Sequence, residues 1–341
     1  MNEKKKEKRF EKENIDFLVY DPTDSKFVKL LKEYVLVTIL DFLPIYLLFL
    51  WVNLHNFFKF DFVLFLIGFE ILGVLTIYWI YLVFVKYYLI MVNRYQIHIK
   101  NLGKPFKFVF FSDLHVGKDY YGTNNLRLKK IISKINKLDL DLVVIGGDFI
   151  CEKIEEEMLL ELRNIKAKHK LAVTGNHDIE YLKEEKTLLE PEDFIRVITK
   201  CGFKVLQNEG ELLEIDGQKV FIGGIPDLYS KQFDLNIAFE KAPKGVPKVL
   251  LSHNPDIIDF VEHKDEIDLI LSGHTHSGMI YWKPFGALFP MPTKYRWLTR
   301  GIFKLANVTQ LFLSQGIGFS HTRLRIGTEA EICEIELQVD R

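Results

Sequence analysis

About a third of the way along its 341 residues the chain reads Phe106-Lys107-Phe108-Val109-Phe110-Phe111-Ser112-Asp113-Leu114-His115. An apolar run of strand length ends abruptly in Asp-x-His, so a buried strand delivers two polar side chains to one end of a sheet. Four later stretches follow the same pattern: 142–146 before Gly147-Asp148, 171–174 before Gly175-Asn176-His177-Asp178, 249–252 before His253-Asn254, and 269–272 before Gly273-His274-Thr275-His276. Five of the ten histidines lie in these endings. Ligands of open α/β sheets bind at the carboxyl ends of strands, so the five endings point to one site.

Around these strands, residues 126–138, 155–166, 193–201 and 255–263 read as helices. Further strands at 204–208, 212–215, 219–225, 310–314 and 331–338 lack the regular helical spacing. That combination predicts an α/β fold of two packed β-sheets flanked by helices. The 45 Lys+Arg against 46 Asp+Glu leave no basic field, so no nucleic-acid partner is expected. A charged fraction of 27% excludes a largely disordered chain. Cys151, Cys201 and Cys333 are too few and too scattered for a disulfide framework or a thiolate zinc cluster.

The 28 phenylalanines are crowded toward the first third, where two apolar stretches stand out. Residues 34–52 carry one charge, Asp41, and residues 62–85 carry one, Glu70. Each is about long enough to cross a hydrocarbon core of ~30 Å. Thirteen Leu, Ile, Val and Phe in the first contribute about −4 to −8 kcal/mol against about +3 for a central Asp, so insertion wins despite Pro44. The second has seventeen such residues and wins by more. The two helices are expected to form a transmembrane hairpin that shields Asp41 and Glu70 at its interface. Six Lys or Arg among the first twelve residues, and Lys86, Arg94, Lys100, Lys104 and Lys107 after the second stretch, place both ends in the cytoplasm. The expected organisation is a basic, polar segment 1–33, the hairpin 34–85, a basic linker 86–104 and a catalytic domain 105–341 held against the cytoplasmic membrane.

Taken together, Asp-x-His, Gly-Asp, Gly-Asn-His-Asp, His and Gly-His-x-His resemble the ordered signature of the calcineurin-like metallophosphoesterase superfamily. The resemblance covers roughly residues 106–338 and implies a four-layer sandwich. It implies one metal held by Asp113, His115, Asp148 and His276, and a second held by Asp148, Asn176, His253 and His274. Two divalent ions about 3.5–4 Å apart neutralise phosphoryl charge and acidify a bridging water for attack. Imidazole, carboxylate and amide ligands without thiolate suit Mn, Fe or Zn, with Mn favoured. The resemblance also implies that His177 faces the scissile phosphate. Asp178 reads either as a partner that favours the imidazolium of His177 or as the cap of a following helix.

After Gly-His-Thr-His the chain continues with Trp282, Phe285, Phe289 and Trp297 among Lys283, Lys294, Arg296 and Arg300. This reads either as a loop folded on its own core or as an apolar, basic surface that enters an anionic bilayer interface. His321, near Gly316 and Gly318, is a further candidate substrate contact. These segments resemble a bacterial branch of membrane-attached metallophosphoesterases, which includes phosphodiesterases and enzymes of lipid A synthesis that cleave UDP-2,3-diacylglucosamine. The resemblance implies a phosphorylated, lipid-linked substrate and the lipid bilayer as partner, with oligomeric state left open. The alternatives are a tethered phosphodiesterase or phosphatase acting on a soluble substrate, and an inactive metal-binding scaffold.

Overall fold

The computed structural model describes residues 36–58, 62–118, 120–151, 155–179, 191–262, 266–288, 290–291, 293–305, 309–320 and 322–339. Two apolar helices come first, α1 (Leu36–Phe58) and α2 (Phe62–Ile80). Trp51 Nε1 donates to the Phe65 carbonyl at 3.2 Å, the His55 and Phe65 rings stack at 3.8 Å, and Phe42 lies 6.4 Å from Trp79. As position rises along α1 its partner on α2 falls, so the pair is antiparallel. The helix of α2 runs on through a π turn (Tyr81–Val85) and a 3-10 turn (Lys86–Tyr88).

Among the described residues, one helix is long and apolar enough to cross a membrane, the 27-residue run Phe62–Tyr88. At 1.5 Å per residue it spans about 40 Å. The apolar part of α1, Phe42–Asn56, is shorter than a bilayer requires. The expected hairpin therefore exists as a helical pair, while only its second member passes the length test. Glu70 is exposed rather than shielded between the helices; the Asp41 side chain lies outside the described residues.

The remainder forms two six-stranded sheets. The strands are β1 (Met91–Ile99), β2 (Phe106–Phe111), β3 (Leu142–Ile145), β4 (His169–Ala172), β5 (Lys204–Val205), β6 (Glu209–Ile215), β7 (Gln218–Gly224), β8 (Lys248–Leu251), β9 (Leu269–Ser272), β10 (Tyr281–Trp282), β11 (Gly286–Ala287), β12 (Gly301–Lys304), β13 (Gln310–Leu313) and β14 (Glu331–Val339). The first sheet has the order β1-β14-β2-β3-β4-β5 and the second β12-β13-β9-β8-β7-β6; β10 and β11 make a separate hairpin. Parallel pairing dominates both centres, with antiparallel contacts at β14/β2, β12/β13 and β6/β7. The segment 86–104, expected as a linker, contains β1, whose nine residues pair in parallel with β14. Arg94, Gln96 and His98 alternate outward (Arg94 meets Glu334 at 2.8 Å), and these polar side chains interrupt the apolar run that would mark a strand.

Alternation along β2 builds the layers, because successive side chains point to opposite faces. Phe106, Phe108 and Phe110 enter the core between the sheets with Val144, Leu251, Leu271 and Phe312. Val109 and Phe111 face the other way, onto α3 (Asn125–Asn136), α4 (Glu156–Leu159) and α5 (Pro191–Lys200). The second sheet turns Leu250, Ile270 and Leu311 toward α6 (Leu235–Phe239) and the turn Pro255–Asp259. The helices expected at 155–166 and 255–263 shrink to α4 with a 3-10 turn and to a lone 3-10 turn capped by Asn254.

Phe110 is fully buried, with the Phe312 ring 6.1 Å away. Phe110→Ala should cost about 3–5 kcal/mol, read as a lower denaturation midpoint with the slope unchanged.

Candidate metal centre

The ligand-bearing turns follow β2, β3, β4, β8 and β9, all at the carboxyl ends of adjacent strands. Tight turns are needed to aim so many side chains at one point, and the backbone shows it. Asp113 (φ 58°), His115 (46°), Asp148 (55°), His274 (68°) and His276 (46°) all occupy the left-handed region. Non-glycine residues there cost roughly 1–3 kcal/mol each and persist only where the surroundings over-determine them.

Two clusters result, each with one ligand atom per residue within 4.8 Å of the others. Asp113, His115, Asp148 and His276 form the first; Asp148, His253 and His274 form the second. Asp148 belongs to both. In the first, the Nε2 atoms of His115 and His276 stand 3.0 Å apart, and His276 Nε2 is 3.3 Å from Asp113 Oδ1. In the second, His253 Nε2 is 3.2 Å from Asp148 Oδ2, and Asn176 Oδ1 lies 2.8 Å from His274 Nδ1. Asn176 thus stands where the fourth ligand of this cluster is required.

The donor chemistry fits divalent cations. His253 Nδ1 donates to the Gly146 carbonyl at 2.7 Å, which fixes the ring and leaves Nε2 as the nitrogen that faces the cluster. That Nε2 is buried without a hydrogen-bond partner. A buried nitrogen of this kind is costly unless a cation takes its lone pair.

Burial dominates the electrostatics of the protein groups alone. It pushes the Asp113 carboxyl up to about 6 and, reinforced by His177, the His115 imidazole down to about 3. It also holds His276 well below the usual histidine range. Burial by itself would raise Asp148 and lower His253, but their mutual attraction wins: Asp148 lies well below the carboxylate range and His253 well above the imidazole range.

The half-buried His177 sits at the cluster rim, its ring edge-on to His115 with centroids 4.6 Å apart. Its backbone N–H donates to Asp148 Oδ1 at 2.9 Å, and its Nδ1 meets the Cys151 carbonyl at 3.1 Å. Asp178 has a different placement from the expected partner of His177. Its Oδ1 accepts from Phe149 N (2.9 Å) and Ile150 N (3.3 Å), and its Oδ2 accepts from Gly175 N (2.8 Å). These bonds tie the turn after β3 to the turn after β4. Burial, then repulsion from Asp148, pushes Asp178 up to about 8. The helix it was alternatively expected to cap falls outside the described residues.

The aromatic set divides. Trp282 and Phe285 lie on the β10–β11 hairpin, exposed and edge-to-face at 5.4 Å. Trp297 packs edge-on against Phe303 at 5.7 Å, on the outer side of the second sheet. Arg296 is half-buried. Lys294 is paired with Asp259, and Arg300 stacks on Tyr281 at 4.0 Å, so both cations are engaged within the fold. Phe289 and His321 lie outside the described residues. The sequence reading passed over Ser112, whose hydroxyl donates to Asp113 Oδ2, and Asp227, fully buried and close enough to His253 to favour its charge. Asp227 follows the apolar run of β7 as the candidate ligands follow theirs, which was the available signal.

A family model described as calcineurin-like phosphoesterase matches residues 106–278. An uncharacterized metallophosphoesterase of Helicobacter pylori is 30% identical over 258 residues, covering 72% of this chain and 63% of that protein. A Bacillus subtilis metallophosphoesterase is 29% identical over 240 residues, covering 68% of this chain and 79% of that protein. A Danio rerio protein named as a transmembrane protein with metallophosphoesterase domain is 25% identical over 246 residues, covering 68% of this chain and 53% of that protein. The chain thus spans less than two thirds of the length of the Helicobacter relative.

Two outcomes are expected. A Cβ at Gly175 would collide with Asp148 Oδ1 and with its backbone nitrogen; Gly175→Ala should therefore lower Mn²⁺ binding at both clusters, measured by metal content after gel filtration. Affinity at the first cluster should fall about tenfold per unit as pH drops below about 6, where Asp113 takes up a proton. At the second, binding must displace a proton from His253, so affinity should keep rising above neutrality. Mn²⁺ titrations from about pH 5 to about pH 8 separate the two.

Proposed function

Because the chain belongs to the calcineurin-like phosphoesterase family, we propose that it is a membrane-anchored, two-metal hydrolase of a phosphodiester or pyrophosphate bond. The observation that carries this reading is the Asp148 carboxylate, shared by two clusters of ligand atoms in a fully buried site. Asp113, His115, Asp148 and His276 would hold one divalent ion, and Asp148, Asn176, His253 and His274 the other. When bound, such a pair supplies neutralisation of phosphoryl charge and an acidified water. Mn²⁺ is the favoured occupant, with Fe and Zn also suited to these ligands.

The protein groups do the rest. The Gly146 carbonyl orients His253, and the His177 N–H holds one Asp148 oxygen while the other faces His253. A carbonyl can only accept, so the contact with Cys151 places a proton on Nδ1 of His177. A proton on its Nε2 is then the one that can pass to a leaving oxygen. Asp178 acts through the backbone as a positioning residue.

The substrate reading is a phosphorylated lipid such as UDP-2,3-diacylglucosamine, met at the cytoplasmic face of the membrane. Its support is the neighbourhood of the exposed β10–β11 hairpin. Tyr281 N donates to the Ile326 carbonyl at 2.8 Å and Ile326 N to the Met279 carbonyl at 3.1 Å. Ile326 and Leu324 in turn pack against Trp79, Leu82 and Val83 at the end of the membrane helix. Trp282 and Phe285 therefore project close to where that helix leaves the bilayer, with Lys283 between them for anionic headgroups. A domain merely tethered to the membrane would have no need of such a surface.

Two outcomes test the reading. Mn²⁺-loaded protein should release UMP from UDP-2,3-diacylglucosamine, and Asp148→Ala should cost more than the ~100-fold typical of outer-shell losses. Hydrolysis of bis(p-nitrophenyl) phosphate without UMP release would favour a soluble substrate, and no loss in Asp148→Ala would leave an inactive scaffold. Trp282→Ser with Phe285→Ser should lower turnover of vesicle-borne substrate more than tenfold, from about 1.5–3 kcal/mol per buried aromatic, with the soluble diester unaffected.

A further inference from the structure

The last turn of the membrane helix is built into the loops that carry the first metal cluster. Tyr87 is fully buried, and its ring stacks on Phe319 at 5.3 Å. Its hydroxyl donates to the Gly122 carbonyl at 2.6 Å and accepts from Asn124 N at 3.1 Å. Arg127, fully buried on α3, donates from Nε to the Tyr87 carbonyl (2.6 Å), from one terminal nitrogen to Thr123 Oγ1 (2.8 Å) and from the other to the Ile317 carbonyl (2.6 Å). Its guanidinium also lies 5.0 Å from the centres of the Tyr87 and Phe319 rings.

These partners lie on two loops, and each loop grips a ligand. Thr123 N donates to the His115 carbonyl at 2.7 Å. Ile317 N donates to the Ser112 carbonyl at 3.0 Å, and Gly318 N to the Asp113 carbonyl at 2.6 Å. Met279, three residues past His276, completes the apolar packing around Tyr87 and Phe319. Each of the ligands specific to the first cluster is therefore one bond or one short turn from a segment that contacts the Tyr87–Arg127 pair. His253 and His274 are bonded instead to Gly146, Asn176 and Asp113.

The choice of side chains has a physical reason. Three divergent acceptors match the planar fork of arginine, which a lysine ammonium cannot reproduce. No carboxylate pairs with Arg127 among the described residues. Its charge is met by two carbonyls, a hydroxyl and two ring faces, and burial pushes its pKa down to about 9. A lysine subject to the same burial would give up much of its charge.

We infer that Tyr87 and Arg127 are positioning residues for the Asp113, His115 and His276 side of the metal centre, so that the membrane helix is a strut of the site and not a detachable tether. The inference rests on reading those residues as metal ligands. It predicts an asymmetric defect, which a general loss of stability would not produce.

The test is Mn²⁺ titration of the full chain in detergent micelles, followed by calorimetry and electron paramagnetic resonance. Asp113→Ala and His253→Ala serve as controls that assign the first and second binding steps. Tyr87→Phe keeps the ring and loses only the hydroxyl; Arg127→Lys keeps a cation and loses the fork. Each should weaken the first step about 10- to 100-fold and leave the second within about twofold. If Asp113→Ala loses one ion while both variants bind two as tightly as the parent, the positioning role is wrong and the metal reading stands. Equal weakening of both steps would also overturn it, as a general destabilisation. If Asp113→Ala still binds two ions unchanged, the metal reading itself fails. Should Arg127→Lys not fold, the milder Tyr87→Phe decides alone.

Discussion

A single buried carboxylate sets the constraints on this site. Asp148 is withdrawn from water and remains ionised because imidazoles surround it, His253 most closely. A carboxylate so placed would be expensive if alone. One of its oxygens instead accepts a backbone N–H from the turn after β4, and the other lies 3.2 Å from His253 Nε2. Because both clusters include it, any movement of this residue alters both at once. The strands that converge here, and the braces around them, keep one side chain in place.

Backbone conformation carries much of that burden. Five ligand residues adopt a left-handed conformation that side chains ordinarily avoid. Such strain survives only with support from outside the turn, and the support is visible. Asp178 ties the Asp148 turn to the Gly175 turn through three backbone N–H groups, and Gly318 N holds the Asp113 carbonyl. Gly175 lacks a side chain because Asp148 occupies the space that one would need.

The boundary between the long apolar helix and the catalytic domain does not fall where composition suggests. Phe62–Ile80 is of bilayer length, but the helix continues to Tyr88 and its last turns are buried against the domain. The segment after it is a nine-residue strand of the first sheet. Helix and catalytic domain therefore share a core, in which Trp79, Leu82 and Val83 meet Leu324.

The ligand set was legible in the chain because each residue follows an apolar run directly, and a strand end is a position that local pattern can assign. The second apolar helix was legible for a similar reason, since length and composition suffice. Other features depended on contacts between distant segments. β1 has an alternating polar face that resembles a linker until β14 pairs with it. Asp178 reads as a partner of His177, its sequence neighbour, yet it bonds the backbone of residues nearly thirty positions earlier. Tyr87 and Arg127 carry no motif; their roles arise only when Phe319 and Ile317 arrive from the far end of the chain. By itself the sequence determined which chemistry reaches the edge of the sheets, because strand period and burial are local properties. Tertiary structure alone decided what holds that chemistry in place, because the bracing bonds join residues as far apart in the chain as Asp113 and Gly318.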